Sequence, residues 1–240
     1  AKYLMATDPK RYKGSKYINS VESDINTAAA AKQLGFRPVL TSVGDKWILL
    51  KIASLILEKR FLKIKKLSNM KMIPSNLLQK WKQIKSKSTF DVFKFEELES
   101  KLDHLEESTA DSSQNNTFSF AIGSEETGHN ITQGFLACED GKKTTAFFGN
   151  GLKSAINTFT ATQILLEKKP AKTYLSTLAH PFRSGFKQTL YVYYVKKELF
   201  YKNSEIWKRL KKSIYQEARS KNLSPQLTYF REDPNMLYIS

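Results

Sequence analysis

The chain has 240 residues, 39 basic against 23 acidic, for a formal net charge of +16; 40% are apolar and 26% charged. That composition excludes a collagen-like, disulfide-rich or wholly disordered chain, and the length suits one large domain or two small ones. The single cysteine, Cys138, excludes an internal disulfide and a multi-cysteine zinc site, so a reducing, cytoplasmic setting is expected.

Residues 1–19 are polar and poorly periodic, and read as an N-terminal remnant. Val21 to Leu34 reads as a helix rich in alanine, with Gly35 as its C-terminal cap. Arg37 to Val43 reads as a short strand, and Gly44-Asp45 as a turn. Lys46 to Arg60 reads as a helix apolar on more than one face, which predicts deep burial. Residues 61–116 break this rhythm: lysine-rich stretches, then Glu96 to Glu107, then the polar run Ser108 to Asn116. They read as a partly helical, partly flexible insertion within a compact domain. Phe118, Phe120 and Ile122 alternate as a strand, Gly123 to Asn130 is a polar turn, and Ile131 to Cys138 reads as another strand. Gly151 to Leu166 reads as a helix that Pro170 ends, and Lys172 to Leu178 as a short one before Pro181. Thr189 to Val195, β-branched and aromatic, predicts a strand. Ser204 to Arg219 is an amphipathic helix with Ser204 as N-cap. Leu227 to Phe230 and Met236 to Ile239 flank Arg231-Glu232-Asp233-Pro234-Asn235 as a β-hairpin. The order predicts a three-layer α/β/α domain over 20–181, with the 61–116 insertion, and a small α+β unit over 182–240.

The charge lies in blocks. Residues 51–95 carry twelve basic residues against Glu58 and Asp91, 96–111 carry seven acids against Lys101, and 183–221 carry eleven basic residues and three acids. Such blocks are either solvated faces or a field that draws in nucleic acid, a membrane surface or a phosphate-bearing partner. Phe61, Trp81 and Phe95 interleave with the first block. They are either stacking platforms for bases or the buried face of an amphipathic helix, and the acidic block is placed to fold back on the basic one. No apolar run approaches the ~20 residues needed to span a bilayer. The chain starts at Ala1 without a signal-peptide pattern, so it reads as a processed or truncated piece or as a short degenerate protein; its three Asn-x-Ser/Thr sequons, Asn115, Asn130 and Asn222, carry little weight without such a signal.

The most informative segment is Gly123-Ser124-Glu125-Glu126-Thr127-Gly128-His129. Carboxylates accept hydrogen bonds from sugar hydroxyls, a hydroxyl donates or accepts, and glycines let a backbone approach a ligand. Taken alone the segment is either a polar turn or a binding loop. Glu125, Glu126 and His129 also suggest metal binding, at a spacing that matches no strong ligand motif.

This loop resembles the sugar-binding loop G-G-E-E-S-G-H of the α-D-phosphohexomutases, the family of phosphomannomutases, phosphoglucomutases and phosphoglucosamine mutases. Leu40 to Ile48 is similar to the family's T-x-V-G-x-[KR]-[WY]-I/V segment, and Asn150-Gly151-Leu152 to a D-G-I helix start. Lys172 to Pro181 resembles the short helix before the last domain. The resemblance covers about residues 20–58 and 117–240, and implies the family's third and fourth domains. It implies that Glu125 and Thr127 contact sugar hydroxyls, that His129 supports the loop or approaches the sugar, and that Arg231 matches the Arg opening a phosphate loop R-P-S-G-T-E-P.

The chain departs from the family at several positions. Thr127 replaces Ser, Asn150 replaces Asp, and Glu232 and Asp233 stand where the family has small or hydroxyl residues. The family transfers a phosphoryl group through a phosphoserine and holds Mg²⁺ on a D-x-D-x-D-R loop. Asp8-Pro9-Lys10-Arg11 keeps one acid of such a loop, and Thr177 to Pro181 echoes the serine motif without its serine. The expectation is therefore no catalytic residue, no intact Mg²⁺ site and no turnover on this chain alone. It would recognise a hexose phosphate as part of a mutase whose catalytic serine lies on a missing N-terminal part or a separate chain. The alternatives are an inactive binding or regulatory module, and a basic nucleic-acid-binding protein.

Overall fold

A computed structural model describes residues 1–67, 75–86, 94, 97–98, 100–102, 120–125, 127–137, 139, 141, 143–167, 169–170, 172–173, 176, 179–180 and 182–240. The chain divides into two compact units, Ala1–Met72 with Leu105–Lys187, and Ile73–His104 with Gln188–Ser240.

The first unit is α/β. Its elements are α1 (Lys2–Thr7), α2 (Pro9–Tyr12), β1 (Lys16–Ser20), α3 (Asn26–Gln33), β2 (Arg37–Thr41), α4 (Asp45–Leu67), β3 (Phe120–Ser124), β4 (Asn130–Ala137), β5 (Lys143–Gly149) and α6 (Gly151–Leu165); α5 belongs to the second unit. The sheet runs β2-β1-β3-β4-β5. β2 and β3 both lie parallel to β1, β4 is antiparallel to β3, and β5 is antiparallel to β4. The chain thus steps from β1 outward to β2, then crosses back to place β3 on the other side of β1.

Several elements differ from the sequence reading. The N-terminal residues hold two short helices and the interior strand β1: Tyr17 and Ile18 are buried, and so are the polar Asn19 and Ser20. α3 starts only at Asn26, because Val21 still donates to the Thr41 carbonyl at 3.0 Å and the Asp24 carboxylate accepts from the Asn26 N–H at 2.8 Å. Gly35, at φ +94°, closes it as expected. Helix α4 runs seven residues past Arg60. β5 was not foreseen. It pairs with β4 along its whole length, and its Lys-Thr-Thr start hides a strand that the ladder supplies. The short helix expected over Lys172 to Leu178 lies partly outside the described residues, as do Ser108 to Asn116, Phe95, Cys138 and Glu126.

Alternation along β1 sends successive side chains to opposite faces. Ile18 joins Ile48, Ile52 and Ile131, with Val39 and Phe147 packed around them. Tyr17 joins Ala31 and Phe36, with Leu4, Met5 and Ile122 alongside. One row across the sheet reads Val39, Ile18, Gly123, Ile131, Gly149. A Cβ on Gly123 would lie 2.4 Å from Cγ2 of Ile48, and one on Gly149 3.0 Å from Oδ2 of Asp45. These two glycines let the first turn of α4 approach the sheet, so that Asp45 reaches the strand ends.

The second unit holds α5 (Ser75–Ser86), a 3₁₀ turn at Lys197–Leu199, α7 (Glu205–Ser220) and the hairpin β6 (Leu227–Phe230) and β7 (Asp233–Ile239). Ser204 caps α7 as expected, accepting from the Trp207 N–H at 3.2 Å. The hairpin forms as expected, but its second strand starts at Asp233 rather than Met236: Phe230 pairs with Asp233, which leaves only Arg231 and Glu232 as the turn. The Thr189 to Val195 strand does not form. Leu190 to Val195 is irregular and exposed, and no described strand pairs with it. High β-propensity without a ladder partner makes no strand. Trp81 is buried on α5, Phe61 on α4 of the first unit, so both are core side chains rather than stacking platforms. Part of the acidic block does fold back: Glu97 pairs with Lys101 and, at 3.0 Å, with Lys80, which holds its carboxyl well below the usual range. No helix among the described residues is long and apolar enough to cross a membrane.

Candidate functional site

In open α/β sheets, ligands bind outside the carboxyl ends of the strands, at the point where the strand order reverses. Here that point lies between β1 and β3. The segments leaving the carboxyl ends of β2, β3 and β5 bring Asp45, the Glu125–His129 loop and Asn150-Gly151 to this edge.

The β3–β4 connection is tighter than a polar turn suggests. The Glu125 N–H donates to the His129 carbonyl at 3.0 Å, and the Gly128 N–H to the Glu125 carbonyl at 3.2 Å. Gly128 sits at φ +86°, a backbone region that favours glycine. Thr127 is exposed, and its hydroxyl donates to Oε2 of Glu125 at 3.4 Å. At the end of β5, Asn150 caps α6 by accepting from the Lys153 N–H at 2.9 Å. Asn and Asp cap helices about equally well, so the missing charge leaves the helix start intact. Ser154, one turn on, accepts from the Asn130 N–H at 2.9 Å and so ties α6 to the loop. A cleft of about 540 Å³ opens here, lined by Thr127, Gly128, Asn130, Gly151, Ser154 and Phe159.

The sequence reading missed Asp45 as a site residue. It lies at the start of α4, where an acid is favoured by the helix dipole. Its Oδ2 lies 3.1 Å from Nδ1 of His129. The segment around it carried the family resemblance, but no spacing tied it to residues 80 and more positions away.

Asp45 also adjoins Glu125. Burial first, then the neighbouring Asp45 charge, raises the Glu125 carboxyl above its ordinary value, while the Gly44 N–H and the Thr127 hydroxyl oppose the shift. Oδ1 of Asp45 and Oε1 of Glu125 are both shielded from water, and a side-chain hydrogen bond to Asp45 favours the protonated form of Glu125. A raised acid stabilises the fold fully below its unfolded value, near 4.5, and that contribution is lost as pH rises through the folded value. Glu125→Gln removes this loss. Its advantage in melting temperature over the wild type should therefore grow as pH rises above about 4.5. Thermal melts check this, and parallel pH curves for the two proteins would refute it.

One ligand atom from each of Asp45, Glu125 and His129 lies within 4.8 Å of the others, close enough to share a cation. A set containing an imidazole differs from the all-oxygen shell that magnesium takes. The structure thus brings together Glu125, Thr127 and His129 of the expected residues. Arg231 lies in the second unit, on the β6–β7 turn. Asp8 lies in the first, where Oδ1 accepts from the Arg11 N–H at 3.0 Å and caps α2. Comparison of the chain with models of known protein families, with curated proteins and with solved structures finds no match.

Proposed function

We propose that the first unit recognises the sugar of a hexose phosphate, as the third domain of a phosphohexomutase-like protein. The observation that carries this reading is the placement of Glu125, Thr127 and His129 together on a closed loop at the strand-order reversal. Thr127, exposed and lining the cleft, offers a hydroxyl that suits a ligand rich in hydroxyl groups. The separate cores built on alternate residues of β1 support a three-layer arrangement. In this reading the hairpin unit with Arg231 is the counterpart of the fourth domain.

The chain supplies recognition and no phosphoryl transfer. Magnesium does not fit the residues present: Asp8 is the only acid of its loop, it is occupied as a helix cap, and Lys10 and Arg11 follow it. A basic nucleic-acid binder is the weaker reading, since Phe61 and Trp81 are buried.

Calorimetric titration with glucose, mannose and glucosamine phosphates tests the proposal. The wild type is expected to bind at least one, and Glu125→Ala to bind it at least tenfold more weakly, about the worth of a hydrogen bond to a charged group. Equal binding by both proteins would remove Glu125 from the role.

A further inference from the structure

Asp45, Glu125 and His129 form a chain of three polar groups drawn from two distant segments. Three features fix its geometry. Asp45 is held at the first turn of α4, brought close to the sheet by the bare Cα of Gly149. His129 is held where the tight loop enters β4, through the backbone bond to Glu125. Between them, Oδ2 of Asp45 and Nδ1 of His129 lie 3.1 Å apart. An aspartate oxygen accepts, so the imidazole nitrogen facing it must carry the proton. In a neutral ring the other nitrogen then has a lone pair and no hydrogen.

That second nitrogen, Nε2, faces Gly151, a residue that lines the cleft. It lies 3.8 Å from where a Cβ on Gly151 would stand, at the start of α6, and the ring remains 45% exposed. The flanking residues Gly128 and Asn130 both line the cleft.

We propose that Asp45 is a positioning residue of this site: it holds His129 as the Nδ1–H tautomer and so presents Nε2 as the proton-accepting atom for a ligand hydroxyl. The identity of the ligand rests on the sugar-recognition reading; the tautomer rests on geometry alone. Glu125 adjoins Asp45, its own carboxyl raised by burial and by that neighbour. A ligand hydroxyl that donates to Nε2 can accept from another group, so the site would select alcohols over groups that cannot donate.

Nitrogen-15 NMR of the ring nitrogens tests this on the full chain, which has three histidines to assign. Spectra are recorded over an alkaline pH series and read where the ring signals no longer change with pH. In the wild type, Nδ1 of His129 is expected at the protonated, pyrrole-like position and Nε2 at the unprotonated, pyridine-like one. In Asp45→Ala the two positions should interchange, because an imidazole without such a neighbour prefers Nε2–H. Asp45→Asn keeps an acceptor oxygen and should retain part of the Nδ1–H form. A wild-type His129 that is mainly Nε2–H overturns the proposal, whatever the variants do. The same variants are then titrated with the hexose phosphate that the wild type binds. Asp45→Asn is expected to bind it roughly tenfold more weakly, and unchanged binding also overturns the positioning role. A wild type that binds no hexose phosphate defeats the sugar reading, while the tautomer result still decides this one.

Discussion

Ile48→Ala should lower the unfolding free energy of the first unit by about 2–5 kcal/mol, the usual cost of truncating a buried aliphatic side chain to alanine. Ile48 is fully buried and packs with Ile18, Ile52 and Ile131, so it joins α4 to β1 and β4 at once. It also lies over Gly123, the residue two before Glu125. A cavity here removes contacts from both the helix that carries Asp45 and the strand that leads to the loop. Urea titration followed by circular dichroism checks the magnitude. A loss below about 1 kcal/mol would mean that the site collapses around the gap, or that α4 does not pack on this row.

Trp207→Ala should cost the second unit about 3–5 kcal/mol. A two-stranded hairpin is marginal on its own and needs a packed face. Trp207 supplies it from the first turn of α7: it is 6% exposed, with its ring 5.6 Å from Tyr229 edge-on and 6.0 Å from Phe200. Neither neighbour can fill the space of an indole. Hydrogen exchange read by mass spectrometry should show protection falling over residues 205–220 and 227–239. Unchanged protection over the hairpin would refute the argument.

Much of this fold was legible in the sequence. The helix Glu205–Ser220, its Ser204 cap and the β6–β7 hairpin follow from helical periodicity, a capping hydroxyl and turn chemistry, all local signals. The interior strand β1 was not legible, because its buried positions include the polar Asn19 and Ser20, which break the apolar pattern of a strand. Those residues lie near the carboxyl end of the strand, where polar side chains meet the site edge. The opposite error fell on Thr189 to Val195, whose composition promises a strand that finds no ladder among the described residues. In the candidate site, the residue types on the 123–129 loop announced themselves. Asp45 did not, since its link to His129 exists only after the crossover from β2 to β3 brings the two together.

The paired carboxylate oxygens of Asp45 and Glu125 have a thermodynamic corollary. A proton on the raised Glu125 carboxyl is held against the Asp45 carboxylate, and its loss sets two like charges beside each other. Alkali should therefore strain the contact between the first turn of α4 and the β3–β4 loop, where these two distant segments meet through paired acids.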